Sequence, residues 1–214
     1  ITYFSNIDSG ITYGNSELKQ NNQIITSHSI FYAKQKEQDA VSYTAKGNVL
    51  ISEDGRIATC GKAIYKQTEQ STSLMIKPEI RENKQTISGR IIDLKYNNGV
   101  LENIYIPSVA NVKTITKGFK KYQKISKNEN NKLTLDFVND LSGNSLQGFF
   151  DEGRLDSLQL EGMAKTHYHI FEDSIYQGEN IASGDTIILQ FYQNDIDKII
   201  VHGGSRGEYK PDTV

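Results

Sequence analysis

A chain of 214 residues with 36% hydrophobic residues and a mean hydropathy of -0.53 is long enough for one extended domain or two small ones, but carries little apolar material for a thick core. Its formal net charge of -2 argues against nucleic acid, whose phosphates call for a concentrated basic surface. No apolar run approaches the roughly 20 residues that a membrane-crossing helix needs, and the single Cys60 excludes an internal disulfide framework.

In chain order, Ile1 opens the sequence without a Met or a signal peptide, as in a mature or trimmed fragment. The first 24 residues set Asp8-Ser9-Gly10 and Tyr13-Gly14-Asn15-Ser16 between short apolar pieces, and read as a partly built first unit. Residues 25–32 then lead to 40–49 as a hairpin of β-rich runs. From Val41 the apolar Val41, Tyr43, Ala45, Val49 and Ile51 alternate with mostly polar neighbours, so one face is buried and the other wet. Residues 53–56 turn the chain, and a weaker copy of the hairpin runs from 57–61 to 74–76. The same parity continues through Leu74, Ile76 and Ile80, with Pro78 marking an edge strand that needs no ladder hydrogen bond there.

Residues 87–94 lead past Asn97-Asn98-Gly99 to 101–106 as the next copy. Between 112 and 132 the apolar period lapses. Lys113, Lys117, Lys120, Lys121, Lys124 and Lys127 cluster there, which predicts a solvated connection or a basic lip that meets anionic head groups. Leu133, Leu135 and Phe137 restart the alternation. Residues 141–146 lead past 151–153 to 155–162, and 168–176 form a polar bridge into the last copy. In 181–204, Ile187, Leu189 and Phe191 alternate with Ile188, Gln190 and Tyr192; a turn at 193–195 follows, then a second β-rich run at 196–201 ended by Gly203-Gly204. No stretch carries a capped 3.6-residue stripe. The fold expected is therefore all-β, built from repeated antiparallel hairpins with few or no helices, and each unit must stack on its neighbours to bury its apolar face. It is either one continuous domain over 1–214 or two segments, 1–112 and 132–214, joined by the lysine-rich 113–131.

Chemistry-bearing motifs are weak. Gly203-Gly204-Ser205-Arg206-Gly207 satisfies the spacing of a nucleophile elbow, yet no helix, acid or His can follow it in 208–214, so it reads as a Gly-rich turn. His167-Tyr168-His169 sets two imidazoles on one face of a strand, a spacing that can chelate Zn or Cu, with Glu172 and Asp173 as the nearest acids in sequence; paired surface His is the commoner reading, so no metal site is assigned. Asp54, Asp151 and Glu152 sit beside Gly in turns, where Asx chemistry accounts for them. No enzyme activity and no cofactor are expected.

Several short stretches resemble the OstA-like, or organic-solvent-tolerance, family of lipopolysaccharide-transport proteins: Gly47-Asn48-Val49 before Gly55-Arg56-Ile57-Ala58, Ala63-Ile64-Tyr65, Ile87-Ser88-Gly89, Leu160-Glu161-Gly162-Met163-Ala164, and Ala182-Ser183-Gly184-Asp185-Thr186-Ile187. The resemblance extends from about residue 25 to about residue 209, with the lysine-rich stretch its least familiar part. It implies a twisted open β-jellyroll, or folded-over sheet, whose groove shelters acyl chains of lipopolysaccharide or a related glycolipid. It also implies residence in the periplasm or in the periplasmic part of an outer-membrane protein. Joined to the alternation, it nominates Val41, Tyr43, Val49, Ile51, Leu74, Ile76, Leu133, Leu135, Phe137, Ile187, Leu189 and Phe191 as the inward, lipid-contacting side chains. Unprotected terminal strands further predict edge pairing, with copies of the chain as a homo-oligomer or with transport proteins of similar fold. The competing reading is a β-solenoid or adhesin-like scaffold, filled by its own side chains and binding glycan or protein on its outside. A groove open to a methylene chain favours the first, and a closed interior the second.

Overall fold

Alternating apolar and polar residues fold here into long strands that pair with their sequence neighbours. A computed structural model describes residues 2–4, 8–20, 22–35, 40–53, 55–121, 132–192 and 195–212. The strands are β1 (Thr2–Phe4), β2 (Ser9–Gln20), β3 (Gln23–Gln35), β4 (Ala40–Glu53), β5 (Arg56–Lys66), β6 (Ser71–Met75), β7 (Glu79–Glu82), β8 (Gln85–Ser88) and β9 (Ile91–Asn97). They continue as β10 (Val100–Ile106), β11 (Ala110–Lys121), β12 (Lys132–Gly143), β13 (Ser145–Asp151), β14 (Arg154–Glu172), β15 (Ile175–Tyr192), β16 (Asp195–His202) and β17 (Arg206–Pro211). Among the described residues the only helical element is a 3-10 turn, Gln67–Glu69. The protein is all-β.

The pairings define a single sheet, antiparallel but for one parallel bridge between Phe119 and Ile175, folded over along its middle. In one leaf, residues 16–20 of β2 pair with the start of β3, then follow the end of β4, the start of β5, β7, β8, β11, β12, the end of β14, the start of β15, and β17. In the other leaf the order is β1, the start of β2, the end of β3, the start of β4, the end of β5, β6, β9, β10, β13, the start of β14, the end of β15, and β16. Each track of chain thus crosses from one leaf to the other at a corner, and the ladder register shifts there, as between Tyr13 and Ser16, Lys46 and Val49, and Glu161 and Ala164.

The corners differ with strand direction. Tracks running from the second leaf into the first turn through left-handed residues: Gly14-Asn15, Gly47-Asn48, Ile76-Lys77, Val109, Gly162-Met163 and Gly203-Gly204. At four of the five crossings in the other direction, Gly61, Arg90, Asn144 and Asp185 are not at positive φ. Their backbone amides donate instead to the carbonyls of the neighbouring corner: Gly61 to Ile76 (2.9 Å), Arg90 to Ser108 (3.3 Å), Asn144 to Gly162 (2.9 Å) and Asp185 to Gly203 (2.8 Å). Glycine leads most of the left-handed pairs because a side chain would strain that conformation. At Gly162 an added Cβ would also meet the Asn144 side chain at 2.6 Å.

The inner faces of the leaves meet in one core that includes Ile25, Tyr43, Ala45, Leu74, Ile92, Ile106, Leu146, Leu160, Ile187 and Leu189. Several sequence expectations change. The first segment is no partial unit, since β2 pairs with β3 along most of its length. Residues 56–59 pair with β7 rather than with 74–76, which face the second half of β5. Residues 87–94 and 141–146 are each broken by a corner, at Gly89-Arg90 and Asn144. Pro78 is buried at a corner and marks no edge. The left-handed turn at Ile76-Lys77 ends the parity of Leu74, leaving Ile76 63% exposed. Residues 113–121 belong to β11 and pair with β12, and the rest of the expected connection, 122–131, lies outside the described residues. The bridge at 168–176 is the tip of the β14–β15 hairpin.

Two substitutions test this account by denaturant unfolding. Leu189→Ala removes a side chain with no exposed surface and should lower stability by about 2–5 kcal/mol. Ile76→Gly relieves a β-branched residue in the left-handed region and should raise stability by about 1 kcal/mol.

Candidate functional site

Opposite the corners, the hairpin ends of the leaves form two lips. Asn22, Gly55 and Asn83-Lys84 lie on one; Gln67 to Gln70, Asn98-Gly99 and Glu152-Gly153 lie on the other. Between them a cavity of about 930 Å³ is lined by Gln20, Asn22, Gln23, Gln67, Gln70 and Asn98 together with Tyr65, Tyr96, Leu101, Glu53, Arg56, Glu82 and Glu152. A neighbouring cavity of about 530 Å³ is more apolar, with Ile80, Ile87, Ile104, Ile115, Phe150, Leu155 and Phe191 beside Arg56, Lys84 and Arg154.

Arg56 is shared by both cavities. Its guanidinium donates to Glu82 at 3.1 Å and lies 4.0 Å from Glu53, both on its own lip, and it sits 5.8 Å from the ring centre of Phe150 on the opposite leaf. A second link across the mouth is the Gln23 amide, which donates to Glu53 at 3.1 Å and to the Tyr96 hydroxyl at 3.4 Å. Burial, with the Glu53 carboxylate adding to it, pushes the Tyr96 phenol well above its ordinary range, so it stays a neutral hydroxyl at the floor of the mouth. Arg56 and Arg154 are thus matched by acids, and carboxamides and phenols supply the uncharged polar groups of the mouth.

Of the nominated residues, Tyr43, Val49, Ile51, Leu74, Ile187 and Leu189 sit in the packed core rather than on an open groove. Ile51 also borders a recess of about 10 Å³, too small for a methylene chain. Phe191 does line the second cavity. Val41 and Leu135 are half-buried, Ile76 faces out, and the Leu133 side chain lies outside the described residues. Alternation selects the buried face of each strand but cannot tell a covered stretch of that face from an uncovered one. The lip residues were missed because they occupy hairpin ends, where the sequence shows only turn chemistry. Asp54 lies outside the described residues; Asp151 and Glu152 are exposed at the β13–β14 turn. Ser205 donates to the Val201 carbonyl at 3.2 Å and leads into β17, not a helix, so the elbow context is missing.

Phe137 belongs to a second cluster. Beyond the main core, the ends of the β11–β12 and β14–β15 hairpins fold together, with Phe137 stacked on Tyr176 (centroids 4.8 Å apart) and edge-on to Phe171 (5.1 Å). Gly118 makes room for the Phe171 ring, since a Cβ there would collide with it at 2.1 Å. Lys120 caps the cluster, 4.6 Å from the Tyr176 ring centre and 3.5 Å from Asp212, and so does not stand free on a basic lip.

His167 and His169 border this cluster. Glu179, directly across from His169 in the β14–β15 ladder, places a carboxylate oxygen 2.7 Å from His167 Nε2. The Glu172 and Asp173 side chains, the acids nearest in sequence, are exposed at the hairpin tip instead. One ligand atom from each of His167, His169 and Glu179 lies within 4.8 Å of the others. The bond to His167 holds the Glu179 carboxyl below its usual range, while burial and then the neighbouring His167 hold the His169 imidazole down.

These features define a class, an antiparallel sheet folded over on itself with an open, polar-lipped side. The sequence matches no protein-family model and no curated protein. Among solved structures, the chain is similar to LptH from Pseudomonas aeruginosa, the LptA-homologous periplasmic component of the lipopolysaccharide transport device. The identity is 13%, the match covers 66% of this chain and 80% of that one, and the TM-score is 0.45.

Because Arg56 ties one lip together and touches the other leaf, Arg56→Met should cost about 1–2 kcal/mol of stability. Amide exchange should quicken at the β4–β5 and β7–β8 hairpin ends and stay unchanged at the corners. Uniform quickening would show that Arg56 does not act locally.

Proposed function

We propose that this protein is a conduit for a glycolipid, lipopolysaccharide or a relative, in the periplasm: the acyl part enters between the leaves, the sugar part stays at the lips, and neither is chemically altered. The observation that carries this reading is the second cavity, whose apolar floor is formed by the half-buried Phe150, Leu155 and Phe191 over the buried Ile80, Ile87 and Ile104, beneath polar lips. Each methylene moved from water onto such a floor gains about 0.8 kcal/mol, and the contact has no direction, so a bound chain can slide. The carboxamides and the two tyrosines of the first cavity suit the hydroxyls and ring faces of a sugar. The motif resemblance over most of the chain supports the same class of ligand.

The scaffold reading has its own support in the closed core, where Leu74, Leu160, Ile187 and Leu189 have no exposed surface. It makes the lips a glycan-binding surface with nothing behind them. Photo-crosslinkers separate the two readings. At Phe150, Leu155 and Phe191 they should capture the acyl chain of an added lipopolysaccharide, and at the outward Lys77 and Gln190 they should not. Capture of sugar alone, or equal labelling at all five sites, would favour the scaffold.

The conduit reading extends to assembly. Among the described residues, β16 and β17 pair only with β15, and residues 16–20 of β2 pair only with β3, which leaves an outer edge at each end of the folded sheet. Such edges template further strands, so copies of the chain or transport proteins of similar fold would add head to tail and align their open sides. Val201→Pro should weaken end-to-end association in light scattering while leaving the distant strands folded. A strict monomer at high concentration, with partner binding unchanged by the substitution, would remove the assembly reading.

A further inference from the structure

We propose that His167, His169 and Glu179 form a binding site for one divalent transition-metal ion of the zinc class. Two neighbouring strands deliver the ligands. Residues two apart on a strand share a face, which brings the His167 and His169 rings to a centroid distance of 4.7 Å, and the β14–β15 register sets Glu179 directly opposite His169.

The buried Asn139 decides which nitrogen His169 can offer. Its Oδ1 accepts the backbone N–H of His169 at 2.9 Å and lies 3.0 Å from His169 Nδ1. An oxygen already accepting from a backbone amide requires a proton on Nδ1, so the lone pair of the neutral ring is on Nε2. A second partner that fixes the tautomer and the ring direction is the arrangement metal-binding histidines use. The aromatic wall holds the ring in place, with Phe137 and Tyr176 centroids at 5.2 and 5.9 Å.

Two imidazoles and one carboxylate select zinc, copper or nickel over calcium and magnesium, which take oxygen ligands. The fourth position is left to water or an outside donor. Binding replaces the proton between His167 Nε2 and Glu179 Oε2, and draws the donors toward the roughly 3.3 Å spacing of tetrahedral zinc, a side-chain adjustment. Lys210 lies 3.6 Å from the other Glu179 oxygen and also reaches Glu208, and Lys120 lies near His169. These ammoniums oppose the ion's charge, so micromolar rather than tighter binding is expected. The bound ion would clip the end of the β14–β15 hairpin to β12 through Asn139.

The test is calorimetric titration of the untagged chain with zinc chloride, with cobalt(II) visible absorption as a readout of tetrahedral nitrogen and oxygen ligation. Wild-type protein should bind one ion per chain, show cobalt bands, and gain melting temperature with zinc. His167→Gln, His169→Gln and Glu179→Gln should each weaken binding at least about tenfold, whereas His202→Gln, remote in the ladder, should leave it unchanged. Melting curves without metal identify any variant that fails to fold, and the remaining ligand variants then decide. Absence of binding by the wild type, or equal binding by the folded ligand variants, overturns the proposal.

Discussion

Everything in this structure depends on the line along which the sheet folds. Each track must bend there without losing its ladder, and strands running in opposite directions do so differently: one direction takes left-handed residues, the other donates a backbone N–H to the corner beside it. Buried amides and carbonyls at a bend would otherwise be orphaned, and each orphan costs free energy. The corner bonds keep the two leaves one sheet. Glycine at the head of four of the five left-handed pairs lowers the strain, while Ile76 and Val109 bear it, with their side chains outside the core.

Folding along that line also determines where the molecule is closed and where it is open. Near the corners the leaves are close together, and the core there is filled by the chain's own residues. Toward the hairpin ends the leaves separate, with Arg56 over Phe150 and Gln23 beside Tyr96 reaching across. A chain-like ligand therefore has its opportunity at the lips, above core side chains such as Ile80 and Ile104, rather than throughout the interior. Closed core and uncovered floor are two depths of the same space, which is why conduit and scaffold readings both find support in it.

The end of the β14–β15 hairpin follows a different logic. It packs aromatic rings instead of aliphatic side chains, and it gathers two histidines, a carboxylate and a buried carboxamide at their margin. Such a cluster is stiff because its rings interlock and Asn139 is tied to the His169 backbone amide. None of its residues lines either cavity between the lips, so whatever it binds acts on the end of one leaf.

Much of this was legible in the residues alone. Period-two alternation at Tyr43, Ala45, Val49 and Ile51, and at Ile187 and Leu189, identified strands and their buried faces, because side-chain direction along a strand is a local property. The hairpin from 181 to 201 could be read for the same reason. Gly47-Asn48 and Gly162-Met163 stood out too, but as family-like punctuation, and the bend they make through the middle of a paired strand appears only when both neighbouring strands are present. Glu179 joins His167 and His169 through ladder register, which no spacing in the sequence displays. Tertiary structure likewise settled that the alternating face is mostly covered and that its open part lies beneath the hairpin ends: periodicity says which way a side chain points, whereas the distance between two leaves depends on every corner that joins them.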